Sequence, residues 1–167
     1  MKLRFKALLL DYLIIVLYLV CLFILFAGIY FFFLDGLPEF TENQMHLVSF
    51  LTTVFPVTII FAIQEGGKDK ASIGKRKMGL KLEYKYHKGL SSLARNIIKF
   101  IPWQFAHMSV IKGIYTGFEG VVVWVFYILS IALAILYIIL AIYTKDQRHL
   151  PDLLTGSKVV IKEEKDD

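Results

Sequence analysis

Residues 7–34, ALLLDYLIIVLYLVCLFILFAGIYFFFL, decide the fold, because these 28 consecutive residues carry one charged side chain, Asp11. A second run at 121–143, VVVWVFYILSIALAILYIILAIY, has 23 residues and no charge. The hydrocarbon core of a bilayer is about 30 Å thick and needs roughly 20 apolar helical residues to span it. Both runs are therefore predicted transmembrane helices, and the chain is predicted to be an integral membrane protein.

The composition fits one membrane domain that covers 1–167. Hydrophobic residues make up 57% of the chain and the mean hydropathy is +0.62, which leaves little for a separate soluble core. The apolar run after the basic N-terminus exceeds the core of about 7–15 residues typical of a signal peptide, so it is predicted to be a retained helix. Cys21 is the only cysteine, so no intramolecular disulfide is expected.

The hydrophobic pattern predicts an all-α membrane protein, a four-helix transmembrane bundle with helices at about 3–34, 45–63, 93–111 and 121–143. Polar segments follow at 64–92, a cytoplasmic loop, and at 144–167, a cytoplasmic tail. Within the loop, apolar and charged residues alternate over 80–86, which is typical of a strand. Residues 157–162 are a second candidate strand. A small cytoplasmic two-stranded element is therefore predicted beside the bundle.

The positive-inside rule gives the topology. Lys and Arg residues number three in 2–6, eight in 64–92 and five in 144–167, but none lies in 35–44 and one lies in 112–120. Both termini and the middle loop are therefore predicted to be cytoplasmic. Residues 93–111 carry charges and either cross the membrane or lie at its interface. The charge pattern favours crossing, because only an even number of spans leaves the basic tail inside.

Asp11 and Arg4 are seven residues apart and so share one face of a helix. A carboxylate inside the membrane is a functional candidate by default, here as a proton- or cation-binding group. A structural ion pair that locks the first helix to a neighbour fits the sequence equally well.

Charged residues in and after the ambiguous third helix have two interpretations as well. Lys99 and His107 share one face, with Arg95 one turn before Lys99, so they line a polar path or extend to the two interfaces. Asp152 caps a short helical turn or contacts Arg4 or Arg95.

The sequence does not predict an enzyme. Gly74-Lys75-Arg76 lacks the spacing and the hydroxyl residue of a phosphate-binding loop. The four histidines are dispersed, and no nucleophile–base pair, metal site or cofactor motif is evident. The basic segment 68–88 is predicted to meet anionic lipid headgroups rather than nucleic acid.

Arg4 near the start of the first helix, Asp11 within it and Asp152 after the last helix resemble the RDD family of prokaryotic membrane proteins, named for one arginine and two aspartates. Three further stretches are similar to patterns of that family: SIGKRKMGLK at 72–81, GLSSLAR at 89–95 and QRHLPDLLTG at 147–156. The resemblance implies a protein of the prokaryotic cytoplasmic membrane.

The resemblance implies two kinds of function, which remain open here. One is a small cation/proton antiporter or related transporter, working as an oligomer, with Asp11 as its ion site. The other is an accessory or regulatory subunit beside a partner membrane protein. If 80–86 pairs with 157–162, the site residues are predicted to form one ionic network: Arg4, Asp11, Arg95 and Asp152, with Lys99, His107 and Arg148 as accessory residues.

Overall fold

The computed structural model describes residues 2–33, 36 and 38–162. In chain order its elements are α1 (Lys2–Phe33), α2 (Glu42–Gly66), α3 (Ile73–Lys77), β1 (Leu80–Tyr84), α4 (Lys88–Thr116), α5 (Val121–Tyr143), α6 (Leu150–Leu154) and β2 (Ser157–Ile161). The predicted helix end at 34 and the end of the predicted tail at 163–167 lie outside the described residues.

Three helices are long and apolar enough to cross a membrane: α1, α2 and α5, with 32, 25 and 23 residues. The most apolar windows of α1 and α5 have no buried residues, so their surfaces suit contact with lipid. A mostly helical chain with three candidate membrane-spanning helices is therefore confirmed. The predicted helix at 93–111 exists within α4, but α4 is not among the three candidate spans, and the count of four crossings stays a prediction.

The bounds of α4 differ from the predicted ones at both ends. The helix begins at Lys88, five residues before the predicted start, and His87 caps it by accepting from the Leu90 N–H. It continues to Thr116, past the predicted end at 111, and the Lys112 ammonium in its last turns binds the Glu42 carboxylate at 3.0 Å. Gly117, with φ of +65°, then ends the helix as a left-handed C-cap.

Each proline inside a long helix leaves one carbonyl without its helical partner, because proline has no N–H. In α2, the residues just before Pro56 form a π-helical stretch, Phe50–Val54. The Tyr18 hydroxyl of α1 donates at 2.6 Å to the carbonyl of Thr52 within that stretch. An unpaired carbonyl costs several kcal/mol in hydrocarbon, so Tyr18 both satisfies the backbone and joins α1 to α2.

The same arrangement joins α5 to α4. Pro102 frees the carbonyl of Ile98, and the Tyr137 hydroxyl of α5 donates to it at 2.7 Å. Ser130, two turns earlier in α5, donates to the carbonyl of Pro102 itself at 2.7 Å. Near each proline, a tyrosine hydroxyl from a neighbouring helix therefore donates to a main-chain carbonyl.

The predicted strand pairing is confirmed. β1 and β2 are antiparallel, and their register runs from Leu80 opposite Ile161 to Tyr84 opposite Ser157. Leu82, Val159 and Leu80 turn inward and pack on Ala7 of α1. We call the end of the bundle that carries this pair the sheet end.

A close contact places α3 against α1 at the sheet end. A Cβ atom on Gly74 would lie 2.2 Å from the Ala7 carbonyl oxygen and 2.7 Å from the Asp11 carboxylate, so no larger residue fits without a shift. The contact brings the start of α3 within hydrogen-bonding distance of a side chain inside α1.

We expect Tyr137→Phe to lower the free energy of unfolding by about 1–3 kcal/mol, because it leaves the Ile98 carbonyl unpaired. Tyr143→Phe, on the same helix at a position 82% exposed, serves as the matched control. The midpoint of thermal unfolding in detergent measures the effect.

Pro102→Ala tests the mechanism of that loss, because it returns an N–H to the Ile98 carbonyl. In the Pro102→Ala background, Tyr137→Phe should lower the free energy of unfolding by clearly less than in wild type. An equal loss in both backgrounds would contradict the role of Tyr137 as the hydrogen-bond donor to the Ile98 carbonyl.

Candidate functional site

Glu65, at the end of α2, is the centre of a buried group of charges. Its side chain has no solvent exposure, and its carboxylate accepts from Lys75 Nζ at 2.7 Å, from Asn96 Nδ2 at 2.8 Å and from Arg95 Nη1. A buried carboxylate is stable only when cations and donors replace its lost water. Lys75 of α3 and Arg95 of α4 supply that compensation from two directions.

Asp152, in the first turn of α6, extends the group on the far side of Arg95. Arg95 Nε donates to Asp152 Oδ1 at 2.7 Å, and Ser157 Oγ donates to the same oxygen at 3.1 Å. The interpretation of Asp152 as a helix cap is wrong, because α6 begins at Leu150 with His149 as its N-cap. Of the two contacts weighed from the sequence, the structure contains the one to Arg95.

His149 lies between the guanidinium of Arg95 and the carboxylate of Asp152. Burial lowers the pKa of His149 to about 4, so the ring is neutral near pH 7. Arg95 Nη2 lies 3.4 Å from Nε2 of the ring. Nδ1 accepts from the Asp152 N–H at 3.3 Å, the contact that caps α6.

The carboxyl group of Asp152 remains ionised at the same pH. Burial alone would raise the pKa of Asp152, but the charge and hydrogen bond of Arg95 outweigh burial and hold it below the ordinary value.

Asp11 joins this group from α1. Its carboxylate, in a residue 4% exposed, accepts from Ser72 Oγ at 2.5 Å and from the Gly74 N–H at 2.8 Å. Lys75 Nζ lies 3.8 Å from Asp11 Oδ2 and 2.7 Å from Glu65 Oε1. Lys75 therefore bridges two buried carboxylates. We call the continuous set of ion pairs the charge cluster: Asp11, Lys75, Glu65, Arg95 and Asp152.

Arg4 lies next to this cluster but binds backbone rather than carboxylates. Its guanidinium donates to the carbonyls of Asp146 and Gln147 at 2.7 Å and to that of Val159 at 2.6 Å. Arg4 thereby ties the start of α1 to the segment before α6 and to β2.

Arg148 has a comparable role near Asp152. It donates to the carbonyl of Ser157 at 2.9 Å and to that of Asp152 at 3.0 Å. Of the four predicted network residues, Arg95 and Asp152 thus pair directly, Asp11 joins through Lys75 and Glu65, and Arg4 stays on backbone oxygens.

Lys99 and His107 are separated from the charge cluster and from each other. Lys99 Nζ lies over the rings of Phe61 and Phe100, 4.3 and 4.9 Å from their centroids, and makes no ion pair within 4.0 Å to any residue that the structure describes. The Trp103 ring stands between Phe100 and His107.

The imidazole of His107 contacts hydroxyl groups of α2 instead. Ser49 Oγ lies 3.0 Å from its Nδ1 and Thr53 Oγ1 lies 3.4 Å away. The predicted polar face of α4 is therefore interrupted by aromatic rings between Lys99 and His107.

Glu65 and Lys75 were not predicted from the sequence as site residues. Glu65 stands two residues after the apolar run of α2, where an acid at a helix end is ordinarily solvated. Lys75 stands in a stretch that resembles the RDD pattern but was assigned with 68–88 to lipid headgroups. That assignment is wrong for Lys75, which is buried. Arg95 is 1% exposed, so it does not extend to an interface either.

The model of the RDD family matches residues 1–156, which include Arg4, Asp11, Arg95 and Asp152. The chain belongs to the RDD family. No match was found among curated proteins or among solved structures. Family membership and the apolar helices together identify an RDD membrane protein, and its specific activity is left to the chemistry of the site.

The charge cluster adjoins a cavity of about 440 Å³. Asp11, Lys75, Arg95 and Asp152 form part of its wall, together with Lys99. Among the described residues, no group of three or more His, Cys, Asp or Glu side chains is arranged to hold a metal ion. The cavity is therefore a space beside paired charges rather than a preformed metal centre.

We expect Glu65→Gln to lower the free energy of unfolding by about 3–5 kcal/mol, because it leaves Lys75 and Arg95 buried with one carboxylate fewer. Glu83→Gln is the matched control, since it breaks an ion pair to Lys158 whose side chains are about half exposed and costs about 1 kcal/mol or less. Thermal unfolding in detergent compares them, and equal losses would contradict the central role of Glu65.

Proposed function

We propose that this RDD protein is a small transporter, not an enzyme, that exchanges protons for monovalent cations, with the charge cluster as its ion site. The observation that carries the proposal is the position of the Lys75 ammonium between the carboxylates of Asp11 and Glu65. Carboxylate oxygens are also ligands for hard metal cations.

The exchange step balances in charge and in atoms. A cation binds between the two carboxylates and takes the place of the Lys75 ammonium. Lys75 then releases one proton to water and becomes a neutral amine. The reverse step takes up a proton on Lys75 and returns the cation. One charge thus replaces another between the same two carboxylates.

Polar groups beyond the cluster support a route toward the other end of the bundle. His107 with Ser49 and Thr53 lies along the α2–α4 interface, and Glu42 pairs with Lys112 at its far end. Aromatic rings separate these groups from Lys99. In this proposal the rings form the barrier that must move for ions to pass.

We propose four crossings with both termini in the cytoplasm of a prokaryotic cell. β1 and β2 are hydrogen-bonded and so lie on one side of the membrane, yet α4 and α5 stand between them in the chain. If α5 crosses, the chain must cross back, and α4 is the long helix present to do so. At 29 residues α4 is about 44 Å long, which is sufficient. The basic segments at the sheet end assign it to the cytoplasm.

Cysteine labelling tests this topology in a Cys21→Ser background. A membrane-impermeant maleimide applied to intact cells should label Glu119→Cys, between α4 and α5. It should not label Lys85→Cys or Lys158→Cys, which flank the sheet, until the cells are opened. External labelling of Lys158→Cys would contradict four crossings. All three positions are exposed in the structure.

Asp11→Asn tests the ion site in proteoliposomes with an imposed pH gradient. Wild type should dissipate the gradient on addition of Na⁺, Li⁺ or K⁺, and Asp11→Asn should reduce the rate at least tenfold, because one of the two carboxylates is lost. Asp69→Asn is the matched control, since Asp69 pairs with Arg76 on the surface and should not matter. Full exchange by Asp11→Asn, or none by folded wild type, would refute the proposal.

A second candidate is an accessory or regulatory subunit of a larger membrane complex. It is favoured by the engagement of both Asp11 oxygens with α3, which suits a structural tie. The uncovered apolar faces of α1 and α5 would then meet a partner or a second copy. In that case wild type shows no exchange, Asp11→Asn lowers the unfolding midpoint, and a stoichiometric partner co-purifies after mild solubilisation.

A further inference from the structure

The cavity beside the charge cluster has an apolar wall that faces outward between two helices. Phe5 and Leu8 of α1 and Ile138, Ala141 and Ile142 of α5 line it. Phe5 and Ile138 are also 66% and 61% exposed on the outer surface of the protein. The cavity is therefore accessible from the region that lipid chains would occupy.

Basic side chains outnumber acidic ones in and directly behind the cavity wall. Arg4, Lys75, Arg95 and Lys99 line the cavity, against Asp11 and Asp152 in the wall and Glu65 behind it. Lys75 and Arg95 are engaged by those carboxylates. Lys99 is held by two aromatic faces instead, which stabilise a cation but do not neutralise it.

We propose that this cavity binds an anionic phospholipid from the surrounding leaflet, with its headgroup phosphate at Lys99 and one acyl chain along the apolar wall. Basic pockets between helices at the cytoplasmic side of a membrane are suited to acidic headgroups. Because the wall is apolar, a ligand that carries an acyl chain should bind better than inorganic phosphate. The site does not depend on ion exchange, because Lys99 makes none of the contacts of Asp11.

Native mass spectrometry of the delipidated protein tests the assignment. The probes are phosphatidylglycerol and phosphatidylcholine with identical acyl chains. Wild type should retain phosphatidylglycerol at least tenfold better, and Lys99→Gln should reduce that preference to near one. Lys6→Gln is the matched control, because Lys6 is an exposed cation of α1 that is not part of the cavity wall. Lys99→Arg keeps the positive charge and should keep the preference. It thereby distinguishes loss of the charge from a structural effect of changing residue 99.

Ala141→Phe tests the acyl-chain end without a change of charge. A phenyl ring there fills the apolar part of the cavity and should reduce retention of phosphatidylglycerol at least tenfold. Ala134→Phe, at an exposed position two turns away on the same helix, should leave retention unchanged.

Several outcomes would overturn the proposal. They are equal retention of the two lipids by wild type, an unchanged preference in Lys99→Gln, and binding of oleate at Lys99 without binding of phosphatidylglycerol, which would assign the site to a free fatty acid. None of these measurements uses an ion gradient, so failure here leaves the exchange proposal intact and failure of exchange leaves this one intact.

Discussion

Charge compensation around the buried carboxylate of Glu65 is the constraint on which the sheet end of this molecule depends. A carboxylate without solvent contact requires partners with good geometry, and these come from elements far apart in the chain. α3 brings Lys75, α4 brings Arg95, and the two cations in turn require Asp11 from α1 and Asp152 from α6. The ion pairs thus hold α1, α3, α4 and α6 against the end of α2.

In the apolar part of the bundle, the corresponding constraint is that every main-chain carbonyl needs a hydrogen-bond donor. Prolines in α2 and α4 free one carbonyl each, and near each proline a tyrosine from an adjacent helix donates to a main-chain carbonyl. These polar contacts work where hydrophobic burial gives little preference for one helix arrangement, since lipid tails are as apolar as leucine. They fix which face of α1 meets α2 and which face of α5 meets α4.

The sequence predicted the elements better than their contacts. Apolar runs longer than a membrane is thick located α1 and α5, and alternation located both strands, because these signals are local. The register of β1 on β2 follows from apolar residues on one face. Glu65 was not predicted as a site residue, since nothing local distinguishes a buried acid at a helix end from a solvated one. Its importance arises from Lys75 and Arg95, which approach it only after folding.

The role of Arg4 was beyond sequence reasoning for a related reason. A family pattern of one arginine and two aspartates suggests an ion pair. The guanidinium of Arg4 instead binds three main-chain carbonyls, and such contacts leave no signature in the sequence. The end of α4 was likewise misplaced, since the helix continues past residue 111 to Thr116 and pairs there with Glu42 through Lys112.

The pairing of β1 with β2 has a consequence for the order of assembly on the ribosome. β2 is synthesised after all four long helices, so β1 must wait without its partner until those helices have been made. During that time Arg95 has Glu65 beside it but lacks Asp152, and the carbonyls that Arg4 binds at 146, 147 and 159 have yet to be made. The first helix is therefore made long before its own anchor exists, and the segment that ends in β2 joins an arrangement whose long helices all precede it in the chain.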